Sequence, residues 1–277
     1  MSALTLIAGC GDVGTRLARR LAARGERALG LRRSVDALPV GVEPVVADLG
    51  DPASLAVLPE GITRLVYLPA PDARTPQAYR RVYVEGLGAL LDRLDPATLA
   101  RAVLVSSSAV YGEHAGAWVD EGTPPAPLGF NGAILLEAEA LWRARLPAQP
   151  VLRLAGLYGP ERTRLLDALR AGRACAPRDP PFYVNRMQVD DAAAALDHLL
   201  SLPAPAPLYL GCDDVPLPQF ELYAALADLL GAPAPGVGPP PAGIGNKRLS
   251  NARLRASGFA PVWTDARRGY AALIGTG

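Results

Sequence analysis

Residues 4–14 read Leu4-Thr5-Leu6-Ile7-Ala8-Gly9-Cys10-Gly11-Asp12-Val13-Gly14. The run before the first glycine suits a buried parallel strand, which is covered on both faces and is therefore continuously apolar. It breaks into G-x-G-x-x-G and then into a helical pattern over Thr15–Arg24. Gly9 allows a tight turn, Gly11 lets backbone approach a pyrophosphate, and Gly14 lets the next helix pack close. The free N–H groups and dipole of that helix would face the phosphates, with Asp12 and Val13 in its first turn. Glycine-rich turns also occur in ordinary strand–helix junctions; the strand before and the helix after favour dinucleotide binding here.

Composition narrows the field. The chain has 277 residues, half of them hydrophobic and 20% charged, with a formal net charge of +1. That balance predicts no strong attraction to nucleic acid or to an anionic membrane. No apolar run approaches the ~20 residues that span a bilayer, and the first apolar stretch is strand rather than signal peptide. A cytoplasmic protein is expected. Cys10, Cys175 and Cys212 are too few and too far apart for a disulfide framework or a zinc site. Cys10 reads as a packing residue. With His114 and His198 as the only histidines, no imidazole-based metal site is expected.

Short apolar runs alternate with helical periodicity, which predicts an α/β fold: a doubly wound parallel sheet of Rossmann type. Strands are expected at 4–8, 28–31, 44–47, 65–69, 102–106, 151–154 and 207–210. Helices are expected at 13–24, 78–94, 134–145, 164–171, 190–200 and 219–230. Prolines gather at 124–127 and again at 233–241, the latter readable as a linker or as a loop lining a pocket. The expected division is a nucleotide-binding core of 1–157 with 187–212, and a smaller substrate lobe of 158–186 with 213–277.

Three strand ends carry candidate chemistry. The second ends in Leu31-Arg32-Arg33-Ser34, where NAD-preferring folds carry a carboxylate for the ribose hydroxyl. Two guanidiniums there could clamp a 2′-phosphate, selecting NADP(H) over NAD(H); the plainer reading is a solvated basic surface. Asp48, after the third strand, either accepts from the adenine amino group or caps a turn. The fifth strand ends in Ser106-Ser107-Ser108-Ala109-Val110-Tyr111-Gly112. Serines at that edge either bond a substrate oxygen or satisfy the turn's own backbone.

Taken in order, the glycine turn, the Ser-Ser-Ser-Ala-Val-Tyr-Gly segment, Arg153-Leu154-Ala155-Gly156-Leu157-Tyr158-Gly159-Pro160, Val189-Asp190-Asp191 and Lys247–Leu254 resemble the extended short-chain dehydrogenase/reductases. This is the NAD(P)-dependent epimerase/dehydratase family. The resemblance runs nearly end to end. It implies cofactor across the sheet's switch point, with Pro69 and Ala70 along it, Leu154–Tyr158 near the nicotinamide, and Ser107 as the family's active-site hydroxyl. It also implies a small-molecule substrate, with a nucleotide sugar as one candidate, and an Asp cap at Val189-Asp190-Asp191. Arg186 and Lys247 could hold an anionic group or be plain surface charge. A homodimer could form through Leu87–Leu94 and Ile134–Leu141, stretches that could equally serve the core.

One family feature is missing. The resemblance implies a Tyr-x-x-x-Lys pair, the Tyr as proton donor, at the start of the helix after the fifth strand. Here that region reads Phe130-Asn131-Gly132-Ala133-Ile134-Leu135-Leu136-Glu137-Ala138-Glu139. Aligning Glu139 with the family's later Glu puts Asn131 and Leu135 at the pair; a shift by one gives Phe130 and Ile134. Neither register supplies a general acid or an ammonium. Tyr111, His114, Tyr158 and Tyr183 are the other donors expected nearby, and Tyr111 is the one placed provisionally in the site. Two readings stay open: an enzyme with a substitute acid, or a catalytically silent NADP(H)-binding sensor.

Overall fold

The structure, a computed structural model, describes residues 3–34 and 38–275. The strand β1 (Leu4–Ala8) is buried along its whole length. It pairs in parallel with β2 (Arg27–Arg32) on one side and β4 (Arg64–Tyr67) on the other. With β3 (Val42–Val46), β5 (Arg101–Ser107), β6 (Val151–Leu154) and β7 (Leu208–Gly211) these form one sheet in the order β7-β6-β5-β4-β1-β2-β3. The order reverses at β1, whose neighbours are β2 and β4, and this switch point is where open α/β sheets place their ligands. All seven strands fall where the apolar runs place them, with ends shifted by a residue or two.

Helix α1 (Asp12–Ala23) turns Val13, Gly14, Leu17, Ala18 and Leu21 inward, an i, i+3/i+4 stripe that covers the sheet. The expected helix at 78–94 consists of α2 (Pro76–Arg80), a π-helical segment Arg81–Gly86, and α3 (Leu87–Arg93). Gly86 sits where a Cβ would lie 2.4 Å from the Leu49 carbonyl oxygen, so close packing there demands glycine. Helix α4 (Phe130–Arg145) buries Ile134, Leu135, Ala138 and Trp142. The apolar core includes Leu6, Leu29, Leu65, Leu87, Leu90, Leu104, Ala138 and Trp142. Leu87, Leu90, Ile134 and Leu135, from the stretches considered for dimerisation, are therefore buried within the chain itself.

Two compact units emerge: Met1–Val110 with Gly129–Arg153 and Ala193–Tyr209, and Tyr111–Leu128 with Leu154–Ala192 and Leu210–Gly277. The sequence boundaries assign 111–128 to the nucleotide-binding core. In the structure this segment belongs to the second unit, where Trp118 and Val119 pair in parallel with Arg248 and Leu249. The second unit has its own apolar cluster, built from Tyr158, Leu166, Leu169, Leu222, Leu226 and Tyr270. It contains α5 (Arg164–Arg170), the start of α6 (Val189–Ser201), α7 (Gln219–Leu230), α8 (Ala252–Ala256) and α9 (Ala266–Gly275). The proline-rich stretch at 233–241 is anchored, since Gly236 and Val237 pair with Cys175 and Ala176.

Candidate functional site

The turn after β1 has the geometry its glycines imply. Gly9 has φ +92°, and a Cβ on it would lie 2.5 Å from the Pro69 backbone. The β1 turn and the exit of β4 thus touch, bringing Pro69 and Ala70 beside the glycine loop. The Gly9 and Cys10 amides both donate to the Leu31 carbonyl, at 3.1 and 2.9 Å, which ties the loop to the end of β2. Gly14 lies against Ile7, 3.0 Å from an added Cβ, so its bareness sets the helix-to-strand distance. Gly11 differs: a Cβ there would meet only the Gly9 carbonyl oxygen, at 4.0 Å. The fold leaves space at Gly11, and nothing in the chain's own packing requires glycine there.

Gly11 is the N-cap of α1 and no side chain caps the helix. The first intrahelical bond runs from the Thr15 amide to the Gly11 carbonyl, at 2.8 Å. The Asp12, Val13 and Gly14 amides precede it and belong to the helix end that favours an anion. The Asp12 carboxylate is turned to Arg16, 2.8 Å away. Cys10 is buried, and burial pushes its thiol pKa up, which suits the packing role expected of it.

Arg32 and Arg33 sit at the carboxyl end of β2. Arg33 forms a bidentate pair with Asp72, at 2.5 and 2.7 Å, both side chains exposed. Exposed pairs contribute roughly 0–1 kcal/mol, so this one would yield readily to a phosphate. The Arg32 side chain has no ion pair among the described residues. Asp48 takes the turn-capping alternative: its carboxylate accepts from the Gly50 amide at 2.8 Å and from Arg81 at 3.2 Å. Tyr83 donates to the Pro69 carbonyl at 3.1 Å and fixes that loop.

The serine cluster divides. Ser106 is buried and donates to Glu139 at 2.7 Å. Glu139 is fully buried, and Arg153, 3% exposed, meets it through Nε at 2.8 Å and Nη2 at 2.6 Å. Burial alone would raise the Glu139 pKa; the Arg153 hydrogen bonds and charge prevail and hold it below its ordinary value. Ser107 is partly exposed, and its oxygen accepts from the Ala109 amide at 3.1 Å, leaving its O–H free to point outward. Gly9, Gly11, Asp12, Val13, Gly14, Arg32, Arg33, Asp48, Pro69, Ala70 and Ser107 all lie in the first unit, at or just beyond strand carboxyl ends.

The substitute donors lie in the second unit. Tyr111 is buried and its hydroxyl donates to the Asp120 carbonyl at 3.0 Å, a structural engagement. Tyr158 stacks on Tyr270 with centroids 4.4 Å apart; burial raises its pKa, and its hydroxyl has no partner among the described residues. Tyr183 faces the Arg248 guanidinium at 4.8 Å. The Nε2 atom of His114 and the Nε atom of Arg186 are buried without partners among the described residues. Helix α4 contains neither tyrosine nor lysine, and Leu135, at the position the resemblance gives to Lys, is core. At the strand-to-helix junction, Gln188 accepts from the Asp190 amide, and Asp191 accepts from the Val262 and Trp263 amides at 2.8 and 2.9 Å. The cap the resemblance gives to an Asp is filled at Asp190 by Gln188, while Asp191 anchors the C-terminal segment.

Sequence reasoning missed Asp213. It is 2% exposed and neither carboxylate oxygen has a hydrogen-bonding partner among the described residues. Burial, then the negative charges of Asp265 and Asp214, push its pKa up to about 8; the nearby Ala266 and Val215 amides oppose the rise without cancelling it. A raised folded-state pKa means a stability contribution complete below the unfolded value and lost as pH rises through about 8. Asp213→Asn should therefore gain on the wild type by about 1.4 kcal/mol per pH unit between the ordinary aspartate range and about 8, and by nothing further above it. Urea unfolding at about pH 5 and about pH 7 checks this. Parallel pH dependence of the two proteins would contradict it.

A parallel sheet of this order with a bare, uncapped glycine turn at its switch point defines a Rossmann-type nucleotide-binding fold. The chain belongs to the NAD dependent epimerase/dehydratase family, whose sequence profile matches residues 5–172. It is similar over 100% of its length, and 99% of the other chain, to a protein of Methylobacillus flagellatus classed with the NAD-dependent epimerases/dehydratases (39% identity, TM-score 0.84). A conserved protein of Silicibacter pomeroyi of unknown function is 30% identical with TM-score 0.80, each chain covered to 99%. The UDP-glucose 4-epimerase of Thermotoga maritima, solved with UDP-glucose, shares the fold at 16% identity (TM-score 0.83, covering 99% of this chain and 97% of that one). No curated protein matches the chain. Among the described residues no helix is long and apolar enough to cross a membrane.

Proposed function

We propose that the chain binds NADP(H) in preference to NAD(H) and acts as an epimerase/dehydratase-like oxidoreductase on a small molecule, with a nucleotide sugar as the candidate substrate. The observation that carries the cofactor reading is Gly11, bare in a loop where the folded chain itself leaves space for a side chain. The pyrophosphate would lie on the amides of Asp12 and Val13, and Arg32 and Arg33 would take the 2′-phosphate, Arg33 by exchanging Asp72 for it. Asp48, Pro69 and Ala70 line the same strand ends. The nicotinamide, when bound, supplies hydride transfer. Ser107, partly exposed and with its oxygen accepting from the Ala109 amide, would donate its O–H to a substrate oxygen. Solved proteins of the same fold carry UDP-glucose with NAD or UDP-glucose, which supports the substrate class.

Charge-assisted hydrogen bonds contribute roughly 1.5–3 kcal/mol each. Arg32→Ala with Arg33→Ala should therefore weaken NADPH binding ~100-fold or more while changing NADH binding less than ~3-fold. Side-by-side titrations check this; an equal loss for both cofactors would remove the pair from the 2′-phosphate.

A second reading has its own support. Helix α4 has no tyrosine or lysine, and Tyr111 is tied to Asp120, so the family's proton machinery has no direct replacement among those positions. On this reading the protein is an NADP(H)-binding sensor. Oxidation of NADPH in the presence of UDP-linked keto sugars, or epimerisation of UDP-glucose, would favour the enzyme. A partner retained only when NADPH is bound would favour the sensor.

A further inference from the structure

Of the 28 lysine and arginine residues, a single one, Lys247, is lysine. Wherever else the chain needs a cation it uses arginine. Lys247 is also 4% exposed. Buried charges ordinarily have a counter-charge, because removing an ion from water is costly. Among the described residues no carboxylate forms an ion pair with Lys247. Its one hydrogen bond goes to the Gly245 carbonyl, at 3.2 Å, and an ammonium has three N–H bonds to place.

The surroundings hold this side chain firmly. The adjacent Asn246 carbonyl accepts from the His114 and Gly116 amides at 3.1 and 3.0 Å. Its side chain accepts from the Tyr183 amide at 2.8 Å and donates to the Pro181 carbonyl at 2.9 Å. The Lys247 carbonyl accepts from Asn185 at 3.0 Å, and the Arg248 guanidinium donates to the Gly116 carbonyl at 2.6 Å. Three stretches, 112–119, 181–186 and 245–250, are thereby locked around one residue. Gly245 is packed so closely that a Cβ would lie 2.1 Å from the Gly112 carbonyl oxygen.

The carboxylate whose charge acts on Lys247, Glu113, is already engaged. Glu113 accepts from the Asn246 amide at 2.7 Å and the Ala115 amide at 2.6 Å, and these bonds hold its pKa below the ordinary value. Its charge acts on Lys247 from a distance; the other titratable or charged groups on the packed segments are His114, Tyr183, Arg186 and Arg248. Burial, opposed by Glu113, lowers the Lys247 pKa. A guanidinium is a flat fork that stays charged, whereas an ammonium is a compact point charge that can exchange its proton. The one position that departs from arginine is thus the one where compactness and a labile proton are both at hand.

We propose that Lys247 is an oxyanion-binding group of the second unit, its two free N–H bonds directed at a phosphate oxygen of the substrate. This rests on the reading of the protein as binding a small-molecule substrate, and deepens it by naming the substrate group and the residue that receives it. An arriving oxyanion supplies the missing counter-charge, so it must raise the Lys247 pKa.

A chain with one lysine permits a direct test. Full-length wild-type protein carrying [ε-13C]lysine gives a single lysine NMR signal, followed against pH with inorganic phosphate and with chloride at matched ionic strength. The expected result is a signal that titrates below free lysine and moves saturably to a higher pKa with phosphate but not with chloride. A signal that titrates like free lysine, or one that phosphate leaves in place or moves no further than chloride does, overturns the proposal. NADPH added in a separate arm should leave the phosphate response intact; loss of that response would assign the oxyanion to the cofactor and also overturn it. In Lys247→Met the rise in melting temperature with phosphate should vanish, and its persistence would count against the site. Because the NMR readout needs no cofactor, it fails or succeeds independently of the cofactor reading.

Discussion

Gly11→Leu should abolish measurable NADPH binding, a loss on the order of a hundredfold or more, ~2.7 kcal/mol at least, while the protein stays folded. The two halves of that expectation come from different geometry. Gly11 has φ −83°, outside the left-handed region that favours glycine, and a Cβ there meets nothing nearer than 4.0 Å. Stability should therefore change by less than ~1 kcal/mol, as for an ordinary surface substitution. A pyrophosphate seated on the Asp12 and Val13 amides, in contrast, needs the space the leucine fills. Gly9→Ala should give the opposite pattern, because φ +92° and the Pro69 backbone at 2.5 Å make glycine a requirement of the fold. Calorimetric titration of NADPH into Gly11→Leu, with thermal unfolding of both variants, separates the effects. NADPH binding at wild-type affinity in Gly11→Leu would show that the phosphates lie elsewhere.

The second large effect is on stability. Glu139→Ala should destabilise the protein by about 3–5 kcal/mol, since it removes the buried carboxylate that pairs with Arg153 and Arg143 and accepts from Ser106. At roughly 2–4 °C per kcal/mol for a chain of this size, the melting temperature should fall by ~6–20 °C. The network also sets an acid limit. The Glu139 pKa is held low in the folded state, so its contribution is complete above the ordinary glutamate range. It is lost as pH falls through the depressed value. The gap between wild type and Glu139→Ala should therefore narrow in acid. Urea unfolding at neutral and acid pH checks both points; a neutral-pH difference under ~1 kcal/mol would mean that the buried network does not depend on Glu139.

These two residues mark how far the sequence could be read. The β1 turn is legible because its information is local: each glycine's role is set within a strand–turn–helix of twenty residues or so, and nothing distant can override it. The seven sheet strands were legible for a related reason, since strands buried on both faces are continuously apolar. Glu139 was visible as a landmark in α4, but not as the hub of a buried network, because Arg153 and Ser106 come from neighbouring strands that only the folded sheet brings together. Likewise the Arg33–Asp72 pair joins residues 39 apart, and Asp191 reaches the Val262 amide 71 residues away.

The second unit was read least well. Two-residue pairings such as Trp118–Val119 with Arg248–Leu249 are too short for an alternation signal, so the sequence pattern does not separate 111–128 from the core. Helix α9 also escaped notice. Lys247 and Asp213 are unremarkable as letters; their interest arises from burial, of Lys247 without an ion pair and of Asp213 without a hydrogen-bonding partner among the described residues, which composition and spacing do not encode. The candidate cofactor residues form a contiguous set at strand ends, whereas the groups that would act on a substrate are scattered and tertiary. Function beyond the cofactor belongs to those side chains rather than to the fold.

The most direct test of the account is the affinity of the wild-type protein for NADPH and NADH, measured side by side by calorimetry. The account predicts tight NADPH and much weaker NADH, because Arg32 and Arg33 have a phosphate to clamp only in the first. Equal affinities would contradict the arginine clamp, and no binding of either would contradict the cofactor reading altogether.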